Sequence, residues 1–257
     1  MLITSLEQIP ESKSWEEISR ELKLSESFIA QYSDKVIWRF ICSHQILSEK
    51  FIESHVDKID WLRVSCHQDL SEAFLSHHVE QADWKWVYYR QKLSEEFIEK
   101  YLDRIDWGRI SANQNLSERF IEKYVDFVDW KWITRNQKLS EDFIERFSDR
   151  INWADASHCQ ILSENLIEKY KEKVDWHWIS DRQHLSESFI EKYKDYLDWY
   201  WICIRQTLSA NFIEKHKEYV NWFFIDWHID KINIENTDKY QVLSSEFCEK
   251  HGVPRKK

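Results

Sequence analysis

The stretch LSERFIEKYVDFVDWKWITRNQK, residues Leu116–Lys138, decides the fold, because it is one copy of a unit that recurs every 23 residues. Its opening leucine returns at Leu24, Leu47, Leu70, Leu93, Leu116, Leu139, Leu162, Leu185 and Leu208. A fixed period of this length marks a solenoid, in which each unit buries its apolar face against the next. Ser117 precedes a run with apolar residues at helical intervals, and a serine follows the leucine in every copy. That hydroxyl suits a helix N-cap, and the acidic residue beside it suits the positive end of the helix dipole. Leu116 and Ile121 have the spacing of a hydrophobic staple. Phe120, Ile121, Tyr124 and Val128 share one stripe, which predicts a first helix, helix A, of about three turns.

Asp129 then starts a second helix. The same place holds Asp60, Asp83, Asp106, Asp175 and Asp198, with Asn152 and Asn221 in two copies and Ile37 as the one departure. Asp and Asn cap helices about equally well but differ as acids, so their exchange points to capping and away from catalysis. Trp130, Ile133, Thr134 and Gln137 continue at helical spacing, giving a helix B of about two turns. The fold class expected is all-α, an α-solenoid of about nine 23-residue helix-turn-helix repeats with atypical ends.

Trp38, Trp61, Trp84, Trp107, Trp130, Trp153, Trp176, Trp199 and Trp222 hold one place in the unit and read as core spacers. Truncating one to alanine is expected to cost about 3–5 kcal/mol. Gln45, Gln68, Gln91, Gln114, Gln137, Gln160, Gln183 and Gln206 recur near the turn into the next helix A. Amides there are expected to satisfy turn backbone groups that would otherwise be orphaned.

Residues 1–23 read as a worn capping copy, with Trp15 and Ile18 matching helix B while Pro10 and Ser5 depart from helix A. Residues 24–230 form the array, one elongated domain. With neighbouring helices ~8–10 Å apart, it is expected to span on the order of 80–90 Å. Residues 231–257 hold an insertion, a capping helix and a basic tail. The helix A pattern returns at Leu243–His251, 12 residues later than the period requires, so the inserted stretch lies within Asp226–Val242. Ala154, Asp155 and Ala156 replace larger or basic groups in the copy that starts at Leu139, where a local softening or bend is expected.

Composition closes several function classes. Two glycines and two prolines leave no Gly-rich phosphate loop. No run of 18 apolar residues exists, and the N-terminus lacks the layout of a secretory signal. Five cysteines scattered among different copies suit free thiols in a reducing, cytoplasmic compartment. His55, His78, His216 and His251 replace the tyrosine of helix A and read as packed, while Cys66–His67 and His158–Cys159 are isolated pairs. Equivalent residues of stacked units sit ~8–10 Å apart, too far to share one ion with bonds near ~2 Å. The expectation is no metal, no cofactor, no catalytic residue and no enzyme.

The net charge of −10 is unevenly placed: the helix B segments of the first eight copies carry +8, so the rest of the chain carries −18. Within helix B the residues one, two, five and six after the fixed Trp vary most. They are Lys85, Trp86, Tyr89 and Arg90 in one copy, and Lys131, Trp132, Arg135 and Asn136 in another. Later copies have His177, Trp178, Asp181 and Arg182, then Tyr200, Trp201, Ile204 and Arg205. A constant scaffold with a changing face is how repeat proteins present a binding surface, and Trp, Tyr and Arg dominate interface hot spots. The candidate partner-binding residues are Lys85, Trp86, Tyr89, Arg90, Lys131, Trp132, Arg135, Trp178, Arg182, Trp201 and Arg205. The competing reading is that the second Trp packs between neighbouring B helices.

The consensus LSE-x-FIEKY-x-D-x-VDW-x-x-IS-x-x-Q resembles the short tandem helical repeats of proteins from large DNA viruses that infect amoebae, over Leu24 to about Ile225. The resemblance implies architecture and transfers no role to any residue; with it goes an expected setting in the host cytoplasm. Two functions compete for the variable face: capture of a protein or peptide, and binding of single-stranded nucleic acid by stacking on Trp and Tyr. The acidic total favours the first. No membrane partner is expected, and the irregular ends are expected to block end-to-end stacking and leave a monomer.

Overall fold

A computed structural model describes residues 2–220 of the chain. The expectations for Asn221, Trp222, the insertion, the Leu243–His251 helix and the basic tail lie outside the described residues. Eighteen short α-helices are present among the described residues, alternating as helix A and helix B, and the fold is an all-α solenoid of about nine repeats. Ahead of the array, a 3-10 turn at Leu6–Gln8 and a helix at Trp15–Glu21 precede the first full copy, and Leu2–Ile3 pairs in parallel with Lys23–Leu24.

Local signals produce the helices as expected. Ser48, Ser71 and Ser94 each accept the backbone N–H of the third helical residue at 3.1–3.2 Å. Asp60 and Asn152 do the same for helix B, accepting from Arg63 at 3.2 Å and Asp155 at 3.1 Å. Ile37 makes no side-chain cap bond.

Helix A is shorter than its apolar stripe suggests, six residues at Glu118–Lys123 in place of three turns. Tyr124 leaves the helix at φ −113° and ψ 33°, and its carbonyl accepts from Phe127 at 2.9 Å and Val128 at 3.1 Å. That turn reverses the chain while keeping Val128 buried, so the stripe is divided between a helix and a turn. The Trp130 indole donates to the Val125 carbonyl at 3.0 Å, satisfying an acceptor that a longer helix would have used.

The chain divides into two compact units, Met1–Trp132 and Ile133–Lys257. In the first, the helix Trp15–Glu21 packs on Trp38–His44, which packs on Trp61–His67, then Trp84–Arg90, then Trp107–Asn113. In the second, Trp153–Cys159 packs on Trp176–Arg182, and that on Trp199–Arg205. The core is a column of Phe–Ile pairs from helix A, such as Phe97 and Ile98, and single aliphatics from helix B, such as Val87 and Ile110.

The fixed tryptophans are not the centre of that core. Trp38, Trp61, Trp84, Trp107, Trp130, Trp176 and Trp199 are half-buried, and among the described residues of the series only Trp153 is buried. They stand at seams, as Trp38 does, 6.3 Å from Phe51 and 5.3 Å from His55, both in the following copy. The ring's outer side is covered by the turn of that copy, by Phe127 over Trp107 at 5.6 Å and Tyr196 over Trp176 at 5.2 Å.

Three polar ladders tie the copies together. Gln68 accepts from the Leu47 N–H at 3.0 Å and donates to the carbonyls of Cys42 and Gln45 in the preceding copy, both at 2.8 Å. The Ser or Thr four residues after the fixed Trp forms the second: Ser180 donates to the Trp176 carbonyl at 2.7 Å and accepts the cap N–H of Asp198, in the next copy, at 2.9 Å. In the third, the first glutamate of helix A accepts from the next copy's capping serine, with Glu49 taking the N–H and, at 3.0 Å, the hydroxyl of Ser71. The copy that starts at Leu139 keeps its register, since Gln160 reaches Thr134 and Gln137 at 2.6 and 2.7 Å and Ser157 accepts from Asp175 at 3.0 Å.

Candidate interaction face

These ladders account for the constant polar residues of the unit. The Gln series is structural, as buried Gln114 shows with three backbone bonds across a seam. The acidic layer of helix A is largely cross-linked between copies: Lys123 reaches Glu99 at 2.7 Å, Lys169 reaches Glu145 at 2.8 Å and Lys215 reaches Glu191 at 2.7 Å. The histidines of helix A pack as expected. His78 and His216 are buried and pair with Glu53 and Glu191 at 2.6 Å, and half-buried His55 stacks on Phe51 at 4.3 Å.

The variable positions behave differently. In the first unit Lys85, Tyr89 and Arg90 are exposed, Tyr89 by 57%. Trp86 is half-buried, with Tyr89 edge-on at 5.8 Å and the Lys85 ammonium 6.0 Å from its ring. Lys131 is exposed and Trp132 half-buried. Among the described residues no carboxylate pairs with Arg63, Lys85 or Arg90. Their field is felt by His67: burial and then the charges of Arg63, His44 and Arg90 push its imidazole below the ordinary range.

In the second unit Arg135 is exposed, and Trp178 and Trp201 are half-buried. The guanidinium groups of Arg182 and Arg205 lie 5.9 and 5.5 Å from those two rings. Both arginines also hold Asp181, through Nε at 2.9 and 2.7 Å, and the Asp181 side chain is only 2% exposed. Arg182 and Arg205 are thus exposed but share an ion partner within the protein. Nothing in the sequence marks Asp181 as buried, because its second partner lies 24 residues further on.

The half-burial of Trp86, Trp132, Trp178 and Trp201 falls between the two sequence readings: part of each indole packs on the helix B stack and part stays open. Sequence reasoning missed two of the ladders, the helix A glutamates and the Ser or Thr of helix B. The signal was a polar residue held at one register on an apolar side, as at Ser65, Ser111, Ser157 and Ser180.

Thiol chemistry is not prepared here. Burial pushes the Cys42 thiol up to about 11, and burial followed by the charge of Asp155 raises that of Cys159, so both remain protonated near neutrality. Cys42, Cys66, Cys159 and Cys203 are free thiols. Among the described residues no group of three or more His, Cys, Asp or Glu side chains could hold a metal, and no helix is long and apolar enough to cross a membrane. No family model, curated protein or solved structure matches this chain, so its face is interpreted from its own geometry.

Proposed function

We propose that the protein is a non-enzymatic repeat scaffold that captures a protein or peptide on the variable aromatic and basic face of its second helices, within the cytoplasm. The observation that carries this reading is the division of labour among polar groups. Recurring Gln, Ser and Glu residues are consumed by seams between copies, whereas Arg63, Lys85, Tyr89 and Arg90 project outward with no internal ion partner. Trp86 beside them offers a part-open indole, and such Trp, Tyr and Arg groupings dominate hot spots.

Single-stranded nucleic acid is the second reading, favoured by the same aromatic and cationic side chains. A pull-down from lysate, with and without nuclease, separates the two. The full chain is compared with a Trp86→Ala/Tyr89→Ala/Arg90→Ala variant whose far-UV circular dichroism is checked to be native. A protein captured despite nuclease and lost in the variant supports the scaffold. Capture abolished by nuclease supports nucleic acid, and equal capture by both proteins overturns the assignment of the face.

A further inference from the structure

The ridge of the first unit has an order that the second lacks. Two residues after the fixed Trp, successive copies carry Phe40, Arg63, Trp86, Arg109 and Trp132, so aromatic and arginine side chains alternate. Flanking positions add Arg39, Lys85, Arg90 and Lys131, and no acidic residue occupies positions one, two, five or six from Arg39 to Trp132. Acid bounds the row on both sides: Glu16, Glu17 and Glu21 hold those positions in the copy before it, and Asp155 and Asp181 hold them in the second unit. Resting on the function proposed above, we infer that this row binds one class of partner, an extended acidic peptide segment carrying bulky apolar side chains between its acids.

The dimensions define the segment. Five places separated by helix steps of ~8–10 Å cover roughly 32–40 Å. An extended polyproline-II segment advances ~3.1 Å per residue with three residues per turn, so about 10–13 residues fill the row. Each step corresponds to about three residues, one turn of that helix, so side chains three apart share one face: an acid opposite Arg63, an apolar side chain at Trp86 about three residues on, and a second acid at Arg109 after about three more. Carboxylates on guanidinium groups are the strong, directional pairing, and half-buried Phe40 and Trp86 supply apolar area between them.

Charge also selects against other occupants. The helix caps Asp60, Asp83, Asp106 and Asp129 form an acidic row beside the ridge, and Asp106 holds Arg109 through Nε alone at 3.0 Å, which leaves the Nη groups to meet a peptide carboxylate. A nucleic-acid strand, charged at every nucleotide, would be pressed against those carboxylates, whereas a peptide places its acids only where arginine waits. A second copy of this chain is a poor source, since its helix A carboxylates are engaged by neighbouring lysines such as Lys123 with Glu99.

The test is a display library of random dodecapeptides selected on the full chain. Enriched peptides are then labelled with fluorescein and measured by anisotropy beside labelled dT12. Proteins compared are wild type, Arg63→Glu/Arg109→Glu, the milder Arg63→Gln/Arg109→Gln, and Tyr200→Ala in the second unit, each checked for native circular dichroism. The inference predicts peptides with acids flanking apolar residues at about three-residue spacing. Their affinity should fall on the order of tenfold or more in the Glu variant, less in the Gln variant and not at all in Tyr200→Ala. Peptides without acids, or lost only in Tyr200→Ala, overturn the inference while leaving the scaffold reading in place. Preferential binding of dT12 that depends on Arg63 overturns both in favour of nucleic acid. The absence of any enriched peptide or dT12 binding removes the scaffold reading and this inference with it.

Discussion

Seams and ridge use the same side-chain chemistry to opposite ends. At the seams, Gln amides, Ser hydroxyls and leading Glu carboxylates have partners one copy away, as with Gln114 on Tyr88 and Gln91 at 2.8 Å. Along the first unit's ridge, Arg63, Lys85 and Arg90 have no such partner, and in the second unit Arg182 and Arg205 spend theirs on Asp181. The lesson is that repetition marks what the protein needs for itself, and departure from repetition marks what remains for a partner. Two departures fall on the wrong side of that division, Tyr88 and Asp181, and each is buried.

The comparison breaks most visibly at a seam amide. Gln68→Leu strands the Leu47 N–H and the carbonyls of Cys42 and Gln45, all buried. At ~1–3 kcal/mol for each unsatisfied group, offset by the added apolar contact, urea unfolding should register a loss of about 3–5 kcal/mol. Buried Trp153→Ala is expected to lose about 3 kcal/mol, and half-buried Trp84→Ala about 2 kcal/mol, in the same experiment. Equal losses would show that burial does not grade these sites.

A pair of substitutions with opposite signs sharpens the comparison. Ser65→Ala orphans the Asp83 N–H, now bonded at 3.0 Å, and should destabilise by about 1 kcal/mol. Tyr88 occupies the equivalent place in the next copy, and its buried hydroxyl has no partner. Tyr88→Phe removes that unsatisfied group and should raise stability by about 1 kcal/mol. A destabilised Tyr88→Phe protein would mean that the phenol is bonded.

The smallest effect is acid sensitivity of the helix A layer. Hydrogen bonds from Lys192 to Glu168, and from Lys215 and His216 to Glu191, hold both carboxyls below their ordinary 4.5. A depressed folded-state value stabilises above the unfolded one and loses that contribution as pH falls through the folded value. The melting temperature should therefore hold from neutrality to about pH 5 and decline below about pH 4.5, with a shallower decline in Lys192→Met. An unchanged slope in that variant would remove the ladder's contribution.

Much of the fold was legible because it is local and repeated. The period, the serine caps and the Asp/Asn caps each follow from residues within one 23-residue unit. The length of helix A was not, since Val128 stands at helical spacing from Tyr124 yet is reached through a turn. The Gln role was readable in part: a polar group on an apolar side demands a partner, but its partners 21, 23 and 26 residues away appear only once copies stack. The ridge was readable as a face, and its charge pattern was present in the sequence. That Arg63 and Arg90 lack an ion partner while Arg182 and Arg205 share one depends on one buried carboxylate, Asp181.

The separation of seam from ridge is tested most directly without a partner, by urea unfolding of Gln68→Leu beside a Lys85→Ala/Tyr89→Ala/Arg90→Ala variant. The account predicts a loss of about 3–5 kcal/mol for the single seam substitution, and a change within about 1 kcal/mol for the triple ridge variant. A triple variant that loses as much as Gln68→Leu would contradict it, because the ridge would then be part of what holds the protein together.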